Sequence, residues 1–349
     1  MLSDLRVLGV PLDKHVCLAC GLVRRPPIGG RGLFESGYQL YDHAPGAPRE
    51  SARQNAYAKW LASQVDEPPR SVLDLGCGNG SLLLALRQQW PETELRGIDP
   101  SQESVGRARE AGIDARCGSV GAVRLEQADL VVSVNVIEHV EDPMTFMRSM
   151  ATLVSPSGSL LLACPDGGRA WLELLFVDHM WSFAASHLVR LASVADLDVV
   201  GWTTAPPALG SFQLLRLSRA GSAEPVAPPS ESSVELIKAK RHYLQAWGSL
   251  DQYLLELSGD ASSLACFGIG EAAGLLRAYA PDTWKRVKVC VVDSPEQRIF
   301  GEVPVIDYTG GRLDCPVLIG VRPDSQGVVA QRLRAAGCAV IRWDACIAA

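Results

Sequence analysis

The stretch VLDLGCGNGSLLLAL, residues 72–86, decides the fold of this 349-residue chain. Branched apolar residues up to Leu75 are typical of a buried strand, and the apolar spacing after Gly80 is typical of a helix. Glycines at 76, 78 and 80 predict a tight loop in which the backbone can approach a ligand closely. This strand–loop–helix unit therefore predicts a small-molecule site at the end of a strand.

Strand-like and helical runs alternate on both sides of this unit. Strands are predicted at 71–75, 94–98, 113–117, 129–134 and 158–164, and helices near 79–89, 101–111 and 142–154. Such alternation implies right-handed crossovers and a parallel sheet with helices on both faces. Two further runs, 198–203 and 211–217, predict a closing hairpin. The expected fold class is therefore α/β, with a Rossmann-like sheet of seven strands.

The chain is predicted to hold a second α/β domain and a short N-terminal segment. The predicted bounds are 1–48 for the irregular N-terminal segment, 49–218 for the first domain, 219–232 for a linker and 233–349 for the second, Rossmann-like domain. The spacing Ser51-Ala-Arg-Gln54 predicts a capping box at the start of a helix. The linker is rich in Pro, Ser, Ala and Gly, and the second domain opens with a long helix predicted over 233–258.

Composition restricts the partners and the compartment. The net charge is -6 and no long basic run occurs, which argues against a nucleic-acid partner. No apolar run reaches the roughly 18–20 residues that span a bilayer, and the first residues do not resemble a signal peptide. Several of the ten cysteines lie inside strand-like runs, as expected for buried reduced thiols. We expect a cytoplasmic monomer or homodimer without membrane contact.

Two ligands are common on a loop of this kind, a dinucleotide and S-adenosylmethionine. The dinucleotide loop reads G-x-G-x-x-G, whereas this loop reads G-x-G-x-G, with Ser81 in place of the last glycine. Asp74, just before the loop, suits a cationic ligand better than a pyrophosphate, because two adjacent anions repel each other. Asp99 ends the next strand at about the spacing of a ribose-binding acid. These residues predict S-adenosylmethionine as the cofactor.

The motifs VLDLGCGNGSLL, GIDPS, DLVVSVNVIEHVEDP and GSLLLACPD resemble those of class I S-adenosylmethionine-dependent methyltransferases, over about residues 70–218. The resemblance implies that the methionine end is shaped by Asp74, Gly76 and Gly78, the ribose is held by Asp99, the adenine lies near Ser119, and the sulfonium side is lined by Asn135. Ser119 replaces an aspartate that many relatives carry. Glu138 and His139 form a pair common across many substrates in this family, and we interpret them as mostly structural.

Residues that act on the methyl acceptor are expected after the fifth strand, at the carboxyl edge of the sheet. Asp178 and His179 stand there side by side, followed by the aromatic residues Trp181 and Phe183. Methyl transfer from a sulfonium needs an aligned nucleophile, and a base where the acceptor carries a proton. On chemistry alone, an Asp that caps a helical turn and a packed His explain the pair equally well.

A second resemblance concerns the order of segments. A CxxC segment, a methyltransferase core and a C-terminal domain opening CFGIGEAAGLL resemble the three-domain C-methyltransferases of deoxysugar biosynthesis, which methylate a carbon beside a ketone on a nucleotide-linked sugar. The resemblance implies that His179 abstracts the proton, that Asp178 orients or polarises it, and that Tyr41, or else Tyr38, donates to the developing enolate. Val177 stands where these enzymes carry a further histidine.

The same resemblance includes a zinc site built from two CxxC pairs, of which this chain has one. Cys17 and Cys20 alone do not fill a tetrahedral site, even though His15 is close enough in sequence to add a third ligand. We therefore predict a degenerate knuckle without metal.

Other functions stay open at this stage. O- or N-methylation of a small molecule would use the same base, and a non-catalytic S-adenosylmethionine-binding protein would need none. In the second domain, Gly268-Ile269-Gly270-Glu271 and Asp293 match a dinucleotide fingerprint, which suggests an NAD-dependent oxidoreductase as a rival class. Glu271 would face a pyrophosphate unfavourably. The resemblance implies instead a lid that helps to bind a nucleotide-linked sugar.

Overall fold

The computed structural model describes residues 1–3, 5–26, 48–229 and 232–347. The chain forms two compact units. The larger unit comprises Lys14–Trp171 and His179–Ile237, and the smaller comprises Met1–Asp13, Leu172–Asp178 and Lys238–Ala349. These units differ from the domain bounds predicted from the sequence, because two short segments join the C-terminal part of the chain. Both segments carry buried apolar side chains, among them Leu2 and Leu174.

The larger unit is built around a seven-stranded sheet and a small three-stranded one. In chain order it contains β1 (His15–Val16), β2 (Val23–Arg24), α1 (Pro48–Ala62), β3 (Ser71–Leu75), α2 (Ser81–Gln89), β4 (Glu94–Asp99), α3 (Gln102–Glu110), β5 (Asp114–Cys117), β6 (Ala128–Val134), α4 (Pro143–Leu153), β7 (Val154–Pro165), β8 (Trp181–Ser182), α5 (Ala185–Val194), β9 (Leu197–Thr204) and β10 (Phe212–Arg219).

The seven strands confirm the predicted sheet. Their order is β5-β4-β3-β6-β7-β10-β9, with parallel pairing from β5 to β7 and antiparallel pairing of β10 with both of its neighbours. Helix α1 begins at Pro48, three residues before Ser51, so the predicted capping box lies inside the helix. Proline favours a first helical position because its missing N–H would be unpaired there in any case.

Apolar side chains cover both faces of this sheet. Tyr57 and Leu61 of α1 pack with Leu83 of α2 in the core on one face, while Met147 and Leu188 belong to the core on the other. Burial on both faces fixes the register of the central strands. The loops after β3, β4, β6 and β7 therefore project from one rigid carboxyl edge, where ligands bind in open α/β sheets.

The smaller unit contains a second α/β sheet. Its elements are the 3₁₀ turn Leu172–Leu175, most of α6 (Ser233–Ser258), β11 (Leu264–Phe267), α7 (Glu271–Tyr279), α8 (Pro281–Trp284), β12 (Val287–Val292), β13 (Ile299–Phe300), β14 (Val303–Asp307), β15 (Val317–Ile319), α9 (Pro323–Ala335), β16 (Val340–Ile341) and α10 (Asp344–Ile347). The strand order is β13-β14-β12-β11-β15-β16, and only β13 runs antiparallel. No helix in the described ranges is long and apolar enough to cross a bilayer.

Candidate active site

The glycine loop after β3 is held in a conformation that side chains disfavour. Gly76 has a φ of +87° and Gly78 one of +52°, both in the left-handed region. The N–H groups of Gly76 and Cys77 donate to the carbonyl of Ile98 at 2.8 and 3.0 Å. A Cβ on Gly76 would lie 2.4 Å from Cγ2 of Val136. Glycine is therefore required at position 76 for its backbone angle and for its lack of a side chain.

Asp99, at the end of β4, ties the neighbouring strand to this loop. Its Oδ2 accepts a hydrogen bond from the N–H of Gly78 at 3.0 Å, and its Oδ1 accepts one from the N–H of Ser101 at 2.8 Å. Burial raises the pKa of Asp99, while the hydrogen bonds from Ser101 and Gly78 act in the opposite direction. The structure thus brings Asp99 and Gly78 together at one strand edge.

Asp74 lies almost wholly out of contact with solvent, with 2% of its surface exposed. Burial and, to a smaller extent, the negative charge of Asp99 together raise the pKa of Asp74 to about 7. Two buried carboxylates at adjacent strand ends favour a ligand that brings positive charge or hydrogen-bond donors.

Asn135 follows β6 at the same edge. Its backbone is left-handed, with a φ of +57°, and its N–H donates to the carbonyl of Ala163 at 2.9 Å. Its Nδ2 donates to the hydroxyl of Tyr57 at 3.2 Å, and its buried Oδ1 has no hydrogen-bond partner among the described residues. Tyr57 was not singled out from the sequence, because a tyrosine within a helix gives no local signal. Ser119, after β5, is exposed at the same edge.

Three side chains with acid–base chemistry lie close together, and two of them belong to the loop that follows Asn135. The rings of His139 and His179 meet edge to face with centroids 4.8 Å apart, and Nε2 of His139 lies 3.9 Å from Oε1 of Glu138. Glu138 and His179 are 2% and 5% exposed. The indole of Trp181 donates to the carbonyl of Val140 at 2.8 Å, which fixes the segment after His179 against the loop after β6.

One carboxylate and two imidazoles can bind a metal ion, and they can also transfer protons. Their candidate ligand atoms lie within 4.8 Å of one another. Two imidazoles and one carboxylate are a known ligand set for zinc, but ligands at about 2.0–2.1 Å from a tetrahedral ion lie only about 3.4 Å apart. The three groups would have to draw together to hold an ion, whereas proton transfer through imidazole needs no such closure.

Asp178 is fully buried in the smaller unit. Its Oδ1 and Oδ2 accept hydrogen bonds from the N–H and the hydroxyl of Ser3, at 2.9 and 2.6 Å. The bound between the two compact units falls between Asp178 and His179, so the predicted catalytic pair is divided between them. That Asp178 orients His179 stays a prediction. Tyr41 and Tyr38 lie outside the described residues.

The CxxC segment forms the turn between β1 and β2. The N–H groups of Ala19 and Cys20, and then the thiol of Cys20, lower the pKa of Cys17. Among the described residues, Glu138, His139 and His179 are the only group of three or more candidate metal ligands. His15 therefore does not complete a three-ligand set with the two cysteines.

Known proteins resemble this chain over the region just described. Residues 49–201 match a family model for a methyltransferase domain. A trans-aconitate 2-methyltransferase of Mycolicibacterium gilvum (strain PYR-GCK) is 30% identical over 224 residues, which cover 64% of this chain and 76% of that protein. A ubiquinone biosynthesis O-methyltransferase of Stutzerimonas stutzeri (strain A1501) is 30% identical over 113 residues, which cover 30% of this chain and 48% of that protein.

Among solved structures, the mitomycin 7-O-methyltransferase aligns with 49% of this chain and 54% of its own, with a TM-score of 0.43 and 18% identity. The family assignment therefore rests on the sequence matches. They agree with the glycine loop and the two strand-end carboxylates. The chain belongs to the class I methyltransferases that use S-adenosylmethionine.

Proposed function

We propose that this protein methylates a small molecule at a carbon beside a ketone, with His179 as the general base. The observation that carries the proposal is the position of the buried His179 imidazole, which lies close to His139 and Glu138. His139 and Glu138 belong to the segment that starts from Asn135 at the cofactor edge. A nucleotide-linked ketosugar is the acceptor class that the resemblance to deoxysugar enzymes favours.

The residues at the carboxyl edge fit S-adenosylmethionine. Asp74 supplies a buried carboxylate for positive charge, and Asp99 supplies acceptors for ribose hydroxyls beside the glycine loop. The Oδ1 of Asn135, which accepts no hydrogen bond from a described residue, offers a further acceptor. Gly76 and Gly78 keep the backbone free of side chains, and Ser119 lies exposed after β5, where the adenine is expected. When bound, S-adenosylmethionine supplies an electrophilic methyl group on a sulfonium.

In the proposed reaction, the protein has to remove one proton from the acceptor. His179 takes the proton from the carbon beside the carbonyl, and the electron pair of that C–H bond forms the enolate. The enolate carbon then forms the new C–CH₃ bond as the S–CH₃ bond breaks, with its electron pair returning to sulfur. Tyr41 is proposed to donate a hydrogen bond to the enolate oxygen, because a phenol is a suitable donor for that charge.

Methylation of an oxygen is the second candidate. It is favoured by a similar protein that is named an O-methyltransferase. The same imidazole would remove a hydroxyl proton, so the site serves both reactions. The two differ in the acceptor atom, which is read directly from the product.

Removal of the base tests the proposal. We expect His179→Ala to lower kcat for methyl transfer by about 100- to 10,000-fold, with the affinity for S-adenosylhomocysteine unchanged. His242→Ala is the matched control, because His242 is an exposed histidine in α6. Transfer of a labelled methyl group to nucleotide-linked ketosugars and to hydroxylated acceptors would be measured. Activity of His179→Ala equal to that of His242→Ala would rule out His179 as the base.

Exchange with solvent separates the two candidates. An enzyme that forms an enolate should exchange the hydrogen beside the ketone for deuterium in D₂O when S-adenosylhomocysteine replaces the methyl donor. We expect this exchange in the wild type and its loss in His179→Ala. Methyl transfer to a hydroxyl without any such exchange would favour the second candidate.

A further inference from the structure

We propose that Arg169 recognises a carboxylate or phosphate group on the methyl acceptor. The inference rests on the proposed function and narrows its substrate class to oxyanions. Arg169 lies in the loop after β7, at the carboxyl edge that also carries Asn135.

The side chain of Arg169 is exposed and yet fixed. Its Nε donates to the hydroxyl of Ser211 at 2.7 Å, and its guanidinium carbon lies 4.3 Å from the centre of the Trp171 ring. Stacking on an indole and one hydrogen bond restrict a side chain that is otherwise rich in rotamers. The guanidinium is therefore presented in one orientation before any ligand arrives.

This guanidinium has no carboxylate partner in the described part of the chain. Arg70, directly before β3, is by contrast neutralised by Asp129 at 2.9 Å. The two terminal nitrogens of Arg169 make no hydrogen bond to a described residue. Fixed donors without a counterion form a recognition site for a planar anion, because the guanidinium fork matches two oxygens at once.

A continuous set of contacts joins this arginine to the cofactor edge. The N–H of Asp166, in the same loop, donates to the carbonyl of Ser211 at 3.1 Å. The next residue, Phe212, meets the ring of Tyr57 edge to face at 6.0 Å, and the Tyr57 hydroxyl accepts from Asn135. Arg169 thus lies at the same sheet edge as the predicted sulfonium side and is joined to it through Ser211, Phe212 and Tyr57.

We therefore infer that the acceptor carries an oxyanion, and two classes of acceptor would supply one. A polycarboxylate would offer a carboxylate. The trans-aconitate in the name of a similar protein is one, but it has no ketone and would serve only the second candidate reaction, methylation of an oxygen. A nucleotide-linked ketosugar would offer a diphosphate. Both would use Arg169 for binding rather than for chemistry, so its loss should act on KM.

The test uses matched acceptors with and without the anion. The wild type, Arg169→Gln and Arg169→Lys are compared on a ketodicarboxylate and its neutral diester, on trans-aconitate, and on a nucleoside-diphosphate ketosugar and the free ketosugar. We expect Arg169→Gln to raise KM for the methylated anion about 10- to 100-fold with kcat within about threefold. Arg169→Lys should recover part of the loss. Arg190→Gln, an exposed arginine in α5, is the control.

Two results would overturn the inference. One is equal use of neutral and anionic acceptors by the wild type, and the other is an unchanged KM in Arg169→Gln. Unaltered affinity for S-adenosylhomocysteine shows that each variant is folded. The acceptor whose KM rises in Arg169→Gln, the carboxylate or the diphosphate, identifies the source of the anion.

Direct binding separates this inference from the proposed function. Trans-aconitate and the nucleoside-diphosphate ketosugar are titrated calorimetrically into the protein saturated with S-adenosylhomocysteine. Binding that Arg169→Gln abolishes, without methyl transfer, would support the anion site while the proposed reaction fails. Transfer that proceeds unchanged in Arg169→Gln would support the reaction while the anion site fails.

Discussion

The chain contains two glycine loops that follow a strand and face an acid on the next strand, and the two differ in what that acid does. In the larger unit, Asp99 accepts a hydrogen bond from the loop itself, from the N–H of Gly78. In the smaller unit, Asp293 forms a bidentate ion pair with Arg332, at 2.8 and 2.5 Å. The guanidinium of Arg332 also lies over the ring of Tyr308 at 5.1 Å.

A glycine fingerprint after a strand is therefore not by itself evidence of a nucleotide site. Both loops keep one glycine against a neighbouring element: Gly76 beside Val136, and Gly268 beside the carbonyl of Gly320. Only the first has buried acids, Asp74 and Asp99, at adjacent strand ends. In the second, Arg332 already satisfies the acid that would hold a ribose in a dinucleotide site.

The largest expected effect is from a methyl group on the first loop. Gly76→Ala places a Cβ 2.4 Å from the Val136 side chain at a φ of +87°, and we expect it to weaken S-adenosylmethionine binding by at least about 100-fold. Gly270→Ala in the second loop is the control, because its Cβ would meet no atom within 4 Å. Calorimetric titration measures both. Equal affinities in the two variants would contradict the assignment of the site to the first loop.

The aspartates on the strands after the two loops, Asp99 and Asp293, provide the next test. We expect Asp99→Asn to weaken S-adenosylmethionine binding about 10- to 30-fold, because one amide oxygen cannot replace two carboxylate oxygens that accept from Gly78 and Ser101 and are proposed to accept from the ribose. Asp293→Asn should leave this affinity unchanged. Dissociation constants of the two variants, measured under identical salt, decide the point, and a loss of affinity in Asp293→Asn alone would reverse the comparison.

The pH dependence of binding should follow Asp74. Because burial raises the pKa of Asp74 to about 7, a cationic ligand that needs the carboxylate must displace a proton below that pH. We expect the affinity for S-adenosylmethionine to fall about tenfold from pH 8 to pH 6, and Asp74→Asn to remove most of this slope. Calorimetry in buffers of different ionisation enthalpy counts the released proton, and a slope retained in Asp74→Asn would exclude Asp74 as its source.

The raised pKa of Asp74 should also make the free energy of unfolding depend on pH in a defined direction. A carboxyl whose folded pKa lies above its ordinary value of 3.8 binds its proton more tightly in the folded state. Its contribution to stability is therefore present at low pH and is lost as the pH rises from about 4 to about 7. The difference in unfolding free energy between Asp74→Asn and the wild type should grow over that range and then level off. A difference that stays constant would contradict the raised pKa.

The smallest expected effect is at the acid of the second loop. Arg332→Gln breaks an exposed ion pair and leaves the buried strands of the smaller unit intact. We expect the midpoint of thermal unfolding to stay close to that of the wild type, since exposed ion pairs contribute little. Tight binding of NAD by the wild type and its loss on Asp293→Asn would instead revive the dinucleotide reading of this loop.

The sequence predicted the fold of the larger unit well, because its strands are buried on both faces and read as continuous apolar runs. The run at 71–75 is β3, and the long helix predicted over 233–258 is α6 with the same ends. What periodicity could not reveal is that Leu172–Asp178 belongs with the C-terminal sequence. Membership of a unit is set by long-range packing, which leaves no local pattern in the chain.

The site was predictable where geometry follows from chain order. Asp74, Asp99 and Asn135 lie at the carboxyl ends of β3, β4 and β6, and parallel pairing of these strands brings them to one edge. The contact of His179 with His139 was not predictable, because it joins segments 40 residues apart through β8 and the loop after β6. Arg169 gave no signal either, since only the three-dimensional structure shows that no described carboxylate neutralises it.

The cofactor site of the first glycine loop is best tested by calorimetric titration of the wild-type protein with S-adenosylmethionine, S-adenosylhomocysteine and NAD. We expect one molecule of each sulfur nucleoside to bind per chain, Asp99→Asn to weaken both, and NAD neither to bind nor to compete. Absence of heat with S-adenosylmethionine, together with firm binding of NAD that Gly76→Ala abolishes, would show that the first loop is not a site for S-adenosylmethionine.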